Sequence, residues 1–264
     1  LASEIIKVYD DEIIDTVLGE PIGDVDLMTA LIHSSNIYFI KLLNLFGEKL
    51  YPILAELYYS VGAKFGGSVP YTLSPDEVIT SEKAYTDKVI SFGRVATDKF
   101  SRYLESGMRH KLNDWEYQPS WGMGQLEMTP LSLARYVAAI ANDGKMMQPR
   151  YMASDSVKVY KELFTEEEAH ILQTCMKGQA AGKFGEMSRY MAGKTGTPER
   201  VSSRSGATTN DALYCFYIES AGTMAGHPLS VVIRLERVNG NSGLAMQMAR
   251  EVVLPILKEN GYIN

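Results

Sequence analysis

ALYCFYI at Ala212–Ile218 and LSVVIRLERV at Leu229–Val238, joined by the turn-prone ESAGTMAGHP at Glu219–Pro228, decide the fold. Both runs are rich in aromatic and β-branched residues, which suit a pleated surface. A short connector rich in Gly and ending in Pro lets the chain reverse, so the pair predicts an antiparallel hairpin. Upstream, Arg189–Thr195 predicts a third strand beside it. Downstream, a helix is expected from about Ser242 to Lys258, kinked or shortened at Pro255, whose ring and missing N–H disturb a helix interior.

Further towards the N-terminus the period changes from that of strands to that of helices. Over residues 129–144, Thr129 caps, Pro130 occupies the first turn, where a missing N–H costs nothing, and Leu131, Ala134, Val137, Ala138 and Ala141 form the expected buried stripe. Asn142-Asp143-Gly144 ends that helix. Another starts at Thr165, with Glu168 completing a capping box, and ends near Gly178. Residues 24–47 predict two short helices. Asp24 or Asp26 caps the first, which carries Leu27, Ala30 and Leu31. Ser34-Ser35-Asn36 interrupts, because short polar side chains compete for backbone groups. Ile37, Ile40, Leu43 and Leu45 mark the second helix, and Gly47 stops it. Between them, Gly66-Gly67, Pro70 and Pro75 mark a loop, and 80–112 is expected to be helical. The order of helices, then strands, then one helix predicts an α+β fold.

Composition narrows the function. Apolar residues make up 45% of the 264 positions, enough for a sizeable core. A formal charge of -6 argues against nucleic acid, which needs clustered Lys and Arg. No apolar run reaches the ~18 residues of a membrane span, and no signal peptide is expected within these residues. Cys175 and Cys215 make no disulfide framework and are expected as small core residues. His33, His110, His170 and His227 show no metal-ligand spacing, so no metal and no cofactor is expected.

Two short motifs carry chemistry. Lys194-Thr195-Gly196, followed by Thr197, sits at the end of a predicted strand. Strand alternation puts Lys194 and Gly196 on one face and Thr195 on the other. An ammonium with two hydroxyls can receive a carboxylate or phosphate, and the glycine lets a ligand come close. The same residues also suit a solvated strand end that turns at Gly196-Thr197-Pro198. Ser34 and Asn36 can project a hydroxyl and an amide into a cleft, or they can serve as helix caps.

The combination says more than either motif. S-x-N precedes K-T-G by about 160 residues, the order found in penicillin-binding proteins and class A β-lactamases. Ala30-Leu31-Ile32-His33-Ser34-Ser35-Asn36 resembles the A-L-x-H-S-x-N of penicillin-binding proteins. Trp121-Gly122-Met123-Gly124-Gln125, running on to Thr129-Pro130-Leu131, resembles their G-Q-G…T-P-L segment. The helix that ends in Ala141-Asn142-Asp143-Gly144 is similar to theirs ending in A-N-G-G, and Ala192-Gly193-Lys194-Thr195-Gly196-Thr197 matches A-G-K-T-G-T. The resemblance runs from about residue 24 to the C-terminus, with 48–120 poorly matched.

This resemblance implies a transpeptidase-type domain over residues 1–264, in part. A mostly helical subdomain would cover 1–180, and the antiparallel sheet with its C-terminal helix would cover 186–264. It implies a serine peptidase acting on the D-Ala-D-Ala end of peptidoglycan stem peptides and acylated by β-lactams. Ser34 would shuttle a proton to the leaving group, Asn36 would bond the substrate amide, and Lys194 would supply positive charge. Thr195 and Thr197 would hold the terminal carboxylate beside Gly196, and a backbone N–H near Thr197 would complete the oxyanion hole. It also implies an extracytoplasmic location, an N-terminal membrane anchor and cell-wall synthesis partners.

One departure matters. No serine here is followed three residues later by lysine, so the nucleophile's S-x-x-K is missing. The nearest mimic, Ser132-Leu133-Ala134-Arg135, offers an arginine that stays protonated and cannot act as base. A start at Leu1 rather than Met favours a fragment whose serine lies upstream. The alternatives are a catalytically inactive relative that only binds peptidoglycan or a partner, and another serine hydrolase on the same fold. The G-M-G-Q…T-P-L segment argues against the last.

Overall fold

The computed structural model describes residues 6–14, 21–46, 57, 60–61, 64–65, 126–150, 152, 154–201, 206 and 208–264. The expected loop and helix over 66–120, the stop at Gly47 and the segment Trp121–Gln125 lie outside the described residues. The chain divides into two compact units, Leu1–Leu133 with Met146–Leu163, and Ala134–Lys145 with Phe164–Asn264.

In the first unit, β1 (Val8–Ile14) and β2 (Pro21–Val25) form an antiparallel hairpin with an irregularity between Asp10 and Ile14. It leads into α1 (Leu27–His33) and α2 (Asn36–Phe46). Asp26, not Asp24, caps α1, its carboxylate accepting the Thr29 N–H at 2.8 Å. Ala30 is fully buried with Val25 and Tyr38. Two residues expected inside are not: Leu27 is 37% exposed and Leu45 67%, because this small cluster has room only for the side of each helix that meets the hairpin. Short strands β3 (Lys64–Phe65) and β4 (Leu126–Glu127) pair with each other.

Helix α3 (Pro130–Ala141) starts where expected, with Thr129 Oγ1 accepting the Ser132 N–H at 3.1 Å. Its buried face differs from the expected stripe. Leu131 is 40% exposed, while Ser132, Arg135 and Ala139 are buried together with Val137 and Ile140. The buried Ser132 has a partner inside, its Oγ accepting from Thr129 Oγ1 at 3.0 Å. The helix ends with Asp143 and Gly144 at φ 51° and 88°, and the Gly144 N–H returns to the Ala139 carbonyl at 2.8 Å. A Cβ at Gly144 would lie 2.1 Å from the Phe164 carbonyl oxygen, so both the left-handed backbone and the close approach require glycine. Strands β5 (Lys145–Met147) and β6 (Val159–Glu162) pair next.

Helix α4 (Glu166–Ala180) begins with the expected capping box. Thr165 Oγ1 accepts the Glu168 N–H at 3.3 Å, and Glu168 Oε2 accepts the Thr165 N–H at 2.8 Å. Thr165→Ala should lower stability by about 1 kcal/mol, the usual worth of such a cap, read as a drop in the thermal midpoint with an unchanged circular-dichroism spectrum.

The main sheet is antiparallel, in the order β10–β9–β7 with β8 also on β9. Its strands are β7 (Met191–Gly196), β8 (Glu199–Val201), β9 (Thr208–Ile218) and β10 (Leu229–Val238). The expected third strand starts two residues late, because Gly185–Arg189 forms a 3-10 turn. Met191, Ala212, Tyr214, Phe216 and Ile218 line one face and pack with Ala245, Ala249 and Leu254 into the main core. A bulge between Leu235 and Val238 places Arg237 at φ 54°. The buried Asp211 holds it, accepting the Arg237 N–H at 3.0 Å and Arg234 Nη2 at 2.8 Å. The hairpin connector contains a 3-10 turn at Ser220–Gly222, and Thr223 bridges to Ile263.

After β10, α5 (Gly243–Met248) passes through a π turn at Ala249–Val253 into α6 (Leu254–Glu259). Pro255 therefore neither ends nor shortens the helix. The wider turn before it relaxes the clash that a proline ring makes with the preceding turn. Cys175 and Cys215 are buried thiols that form no disulfide, as expected from composition. No helix among the described residues is long and apolar enough to cross a membrane.

Candidate active site

The S-x-N motif divides its labour among three neighbours. Ser34 ends α1 in the left-handed region, at φ 61° and ψ 44°, with its N–H returning to the Ala30 carbonyl. Ser35 starts α2: its hydroxyl accepts the Tyr38 N–H at 3.0 Å and donates to the carboxylate of Asp10. Asn36 is the first residue of α2. Side-chain capping of α2 thus falls on Ser35, which is 1% exposed, while Ser34 and Asn36 are exposed on the turn. A serine with positive φ is uncommon and costs about 1–3 kcal/mol, a strain that collects at functional sites.

Asp10 was not foreseen. It is fully buried in β1 and reaches 25 residues along the chain to Ser35. Lys41 Nζ adds a second tie between α2 and the hairpin by donating to the Tyr9 carbonyl at 2.7 Å. Asp10→Ala should destabilise the protein by about 1–3 kcal/mol, because it leaves the Ser35 hydroxyl facing a vacated buried position. Urea unfolding would measure it, and Asp10→Asn, which keeps an acceptor, should cost less.

The K-T-G motif occupies the end of β7 in the second unit. Its register, Lys194 opposite Cys215, Thr195 opposite Tyr214 and Gly196 opposite Leu213, puts Lys194 and Gly196 on one face with Cys215. Thr195 and Gly193 lie on the other face, with Tyr214. Lys194 is half-buried, and its Nζ donates to the Thr195 carbonyl at 3.1 Å. Burial pulls the Lys194 ammonium down to about 8, and the nearby Lys183 acts in the same direction. Burial also pushes the Cys215 thiol up to about 12. Cys215 is therefore a neutral neighbour near physiological pH.

Thr195 is tied twice to Gln179 in the last turn of α4. Its N–H donates to Gln179 Oε1, and its Oγ1 accepts from Gln179 Nε2, both at 2.9 Å. Thr197 is exposed, and its Oγ1 accepts the Ser242 N–H at 3.0 Å, joining the motif to the start of α5. Sequence reasoning missed Gln179, which carries no motif and lies 16 residues before its partner. Ser34 and Asn36 belong to the first unit, and Lys194, Thr195, Gly196 and Thr197 to the second.

The chain is similar to known proteins in both sequence and shape. The family described as penicillin binding protein transpeptidase domain matches residues 16–254. Penicillin-binding protein 3 of Bacillus subtilis is 28% identical over 200 residues, which cover 72% of this chain and 25% of that protein. Penicillin-binding protein A of M. tuberculosis, solved as its penicillin G acyl-enzyme complex, superposes with a TM-score of 0.56 at 19% identity. That match covers 90% of this chain and 51% of the other. A peptidoglycan glycosyltransferase structure from Burkholderia ambifaria gives 0.59 at 16% identity, over 98% and 73% of the two chains. At these identities the structural likeness speaks for the fold, and it agrees with the α+β arrangement of helices and antiparallel strands. The chain spans a quarter of the length of the curated relative it matches. A match across 16–254 covers most of the sequence, so the chain belongs to the penicillin-binding protein transpeptidase domain family.

Proposed function

We propose that this chain carries the substrate-holding part of a peptidoglycan D,D-transpeptidase, whose nucleophilic serine is supplied by an S-x-x-K segment preceding Leu1. The substrate is the D-Ala-D-Ala end of a stem peptide, and β-lactams acylate the same serine. The observation that carries this reading is the division of labour in the S-x-N turn. Ser35 N-caps α2 through its hydroxyl and Ser34 ends α1 through its backbone N–H, so the Ser34 side chain and Asn36 are exposed on the turn between the two helices.

In this mechanism the amide is exchanged through two acyl transfers. The serine attacks the scissile carbonyl, the D-Ala amine leaves with a proton passed through Ser34, and an acceptor amine then displaces the serine. Asn36 bonds the substrate amide. The Lys194 ammonium sets a positive potential at the site, and the Thr195 and Thr197 hydroxyls hold the terminal carboxylate beside Gly196. A backbone N–H near Thr197 stabilises the oxyanion. The domain partition belongs to the same proposal: residues 1–264 are one partial transpeptidase domain, with 1–180 mostly helical and 186–264 forming the sheet and final helix. So do an extracytoplasmic location, an N-terminal membrane anchor and partners in cell-wall synthesis.

A second reading, a penicillin-binding fold that binds peptidoglycan or a cell-wall partner without turnover, is favoured by the absence of any serine followed at the third position by lysine. Fluorescent-penicillin labelling read by intact mass separates the two, applied to this chain and to a form extended upstream. Labelling of the extended form alone is expected. Labelling of neither supports the binding protein, and labelling of the short chain would place the nucleophile within residues 1–264.

A further inference from the structure

We propose that Gln179 is a positioning residue that fixes the direction of the Thr195 hydroxyl, so that its proton is offered to a ligand carboxylate. The inference rests on the transpeptidase reading above and adds to it a residue outside every motif.

The geometry leaves the carboxamide one orientation. A backbone N–H can only donate, so the Gln179 oxygen must face the Thr195 N–H, at 2.9 Å. The amide nitrogen then faces the Thr195 hydroxyl, also at 2.9 Å. Gln179 is 5% exposed, so water does not compete well for this pair. A threonine hydroxyl has one proton and two lone pairs. With one lone pair taken by Gln179 Nε2–H, the proton points away from Gln179, and an anionic acceptor is the partner that gains most from it.

The same contact fixes the strand. Among the described residues, β7 is outermost, on its side, in the sheet path β10–β9–β7. The Thr195 N–H goes to Gln179 and its carbonyl accepts from Lys194 Nζ, so both backbone groups turn away from β9 and are met by side chains. Gln179 thus does for one residue what a further strand would do, and it holds Thr195 at a fixed height beside Lys194.

Gln179→Glu isolates the proton from the scaffold. A glutamate still accepts the Thr195 N–H, but it has no N–H to give. The hydroxyl must then turn its proton toward the glutamate, away from the ligand. Penicillin acylation of the protein extended to include its S-x-x-K serine should show an apparent ligand affinity about 10- to 100-fold weaker, the worth of one hydrogen bond to a charged group. The maximal acylation rate at saturating penicillin should stay within about twofold. Penicillin methyl ester, which lacks the carboxylate, should lose no further affinity. In a Thr195→Val background, Gln179→Glu should add little, because the group through which it acts is gone. Equal weakening of penicillin and its ester, or an undiminished effect on Thr195→Val, overturns the proposal. So does an unchanged affinity in a Gln179→Glu protein whose thermal midpoint is normal. If the unsubstituted extended protein is not acylated at all, the transpeptidase reading falls first and takes this proposal with it.

Discussion

Lys194→Met in the extended protein should slow penicillin acylation by about 100- to 1000-fold, the range lost when one preorganised electrostatic group is removed from an acyl-transfer site. The reason lies in the placement of the ammonium. It is half-buried on the face of β7 that carries Gly196, and it is braced against the Thr195 carbonyl. Burial pulls this lysine down to about 8, so its charge is lost close to the working pH. The acylation rate should hold below that value and fall above it, whereas Lys194→Arg should remove the descending limb, since a guanidinium stays protonated. The stability consequence has the opposite sign. A lysine depressed in the folded state binds its proton more tightly when unfolded, so its burial is a penalty that is full below about 8. That penalty disappears as pH rises toward 10.5, and stability gains at most something on the order of 3 kcal/mol over this window. Urea midpoints of the unsubstituted protein should rise relative to Lys194→Met between those two pH values. Parallel pH dependence in the two proteins would show that Lys194 is not the titrating group.

Gly193→Ala is expected to cause the largest loss of stability. An added Cβ would stand 2.3 Å from Tyr214 Oη, 2.6 Å from its Cζ and 2.8 Å from its Cε2. Tyr214 has nowhere to retreat. It is fully buried and stacks between Phe184 and Phe216, at ring-centroid distances of 5.6 and 5.1 Å. Overpacking of this kind costs about 1–3 kcal/mol, and the upper end is expected where the obstructing ring is itself wedged. For a chain of this size that corresponds to a fall of roughly 6–12 °C in thermal midpoint. Because Gly193 directly precedes Lys194, acylation should weaken as well. Tyr214→Phe tests the cause. It removes the nearest clashing atom and also a buried hydroxyl for which the described residues provide no hydrogen-bond partner. Alone it should be neutral or stabilising by about 1 kcal/mol. Combined with Gly193→Ala it should recover part of the loss, and strict additivity of the two would point to a different origin.

What the sequence revealed depended on how far each residue's partner lies along the chain. The Thr165–Glu168 box was legible because both halves sit within one helical turn. The ends of α3 were legible for the same reason, through Thr129-Pro130 and Asn142-Asp143-Gly144. The face that α3 buries was not, because Leu131 is more apolar than Ser132 and Arg135 yet lies outside. Which side of a helix meets a neighbour is decided by the neighbour. The β1–β2 hairpin escaped notice since Asp10, Asp11 and Glu12 break the apolar alternation. Nothing local says that Asp10 is buried; its partner Ser35 lies 25 residues on, beyond β2 and α1. At the candidate site, S-x-N and K-T-G were visible as motifs. Gln179 was invisible, because its whole importance is a contact across 16 residues.

The π turn at Ala249–Val253 sets the phase of everything after it. It holds one residue more than an α-helical turn needs, as if a single position had been inserted into an unbroken helix. Winding that turn into regular α-helix with every residue kept would merge α5 and α6 into one helix, but each later side chain would then swing by about 100° around the axis. Leu254 would leave the core it shares with Ala245 and Ala249, and Ile263 would lose the position from which it meets Thr223. The widened turn thus works like a vernier, absorbing the surplus residue and keeping the C-terminal end of the chain in step with the sheet beneath it.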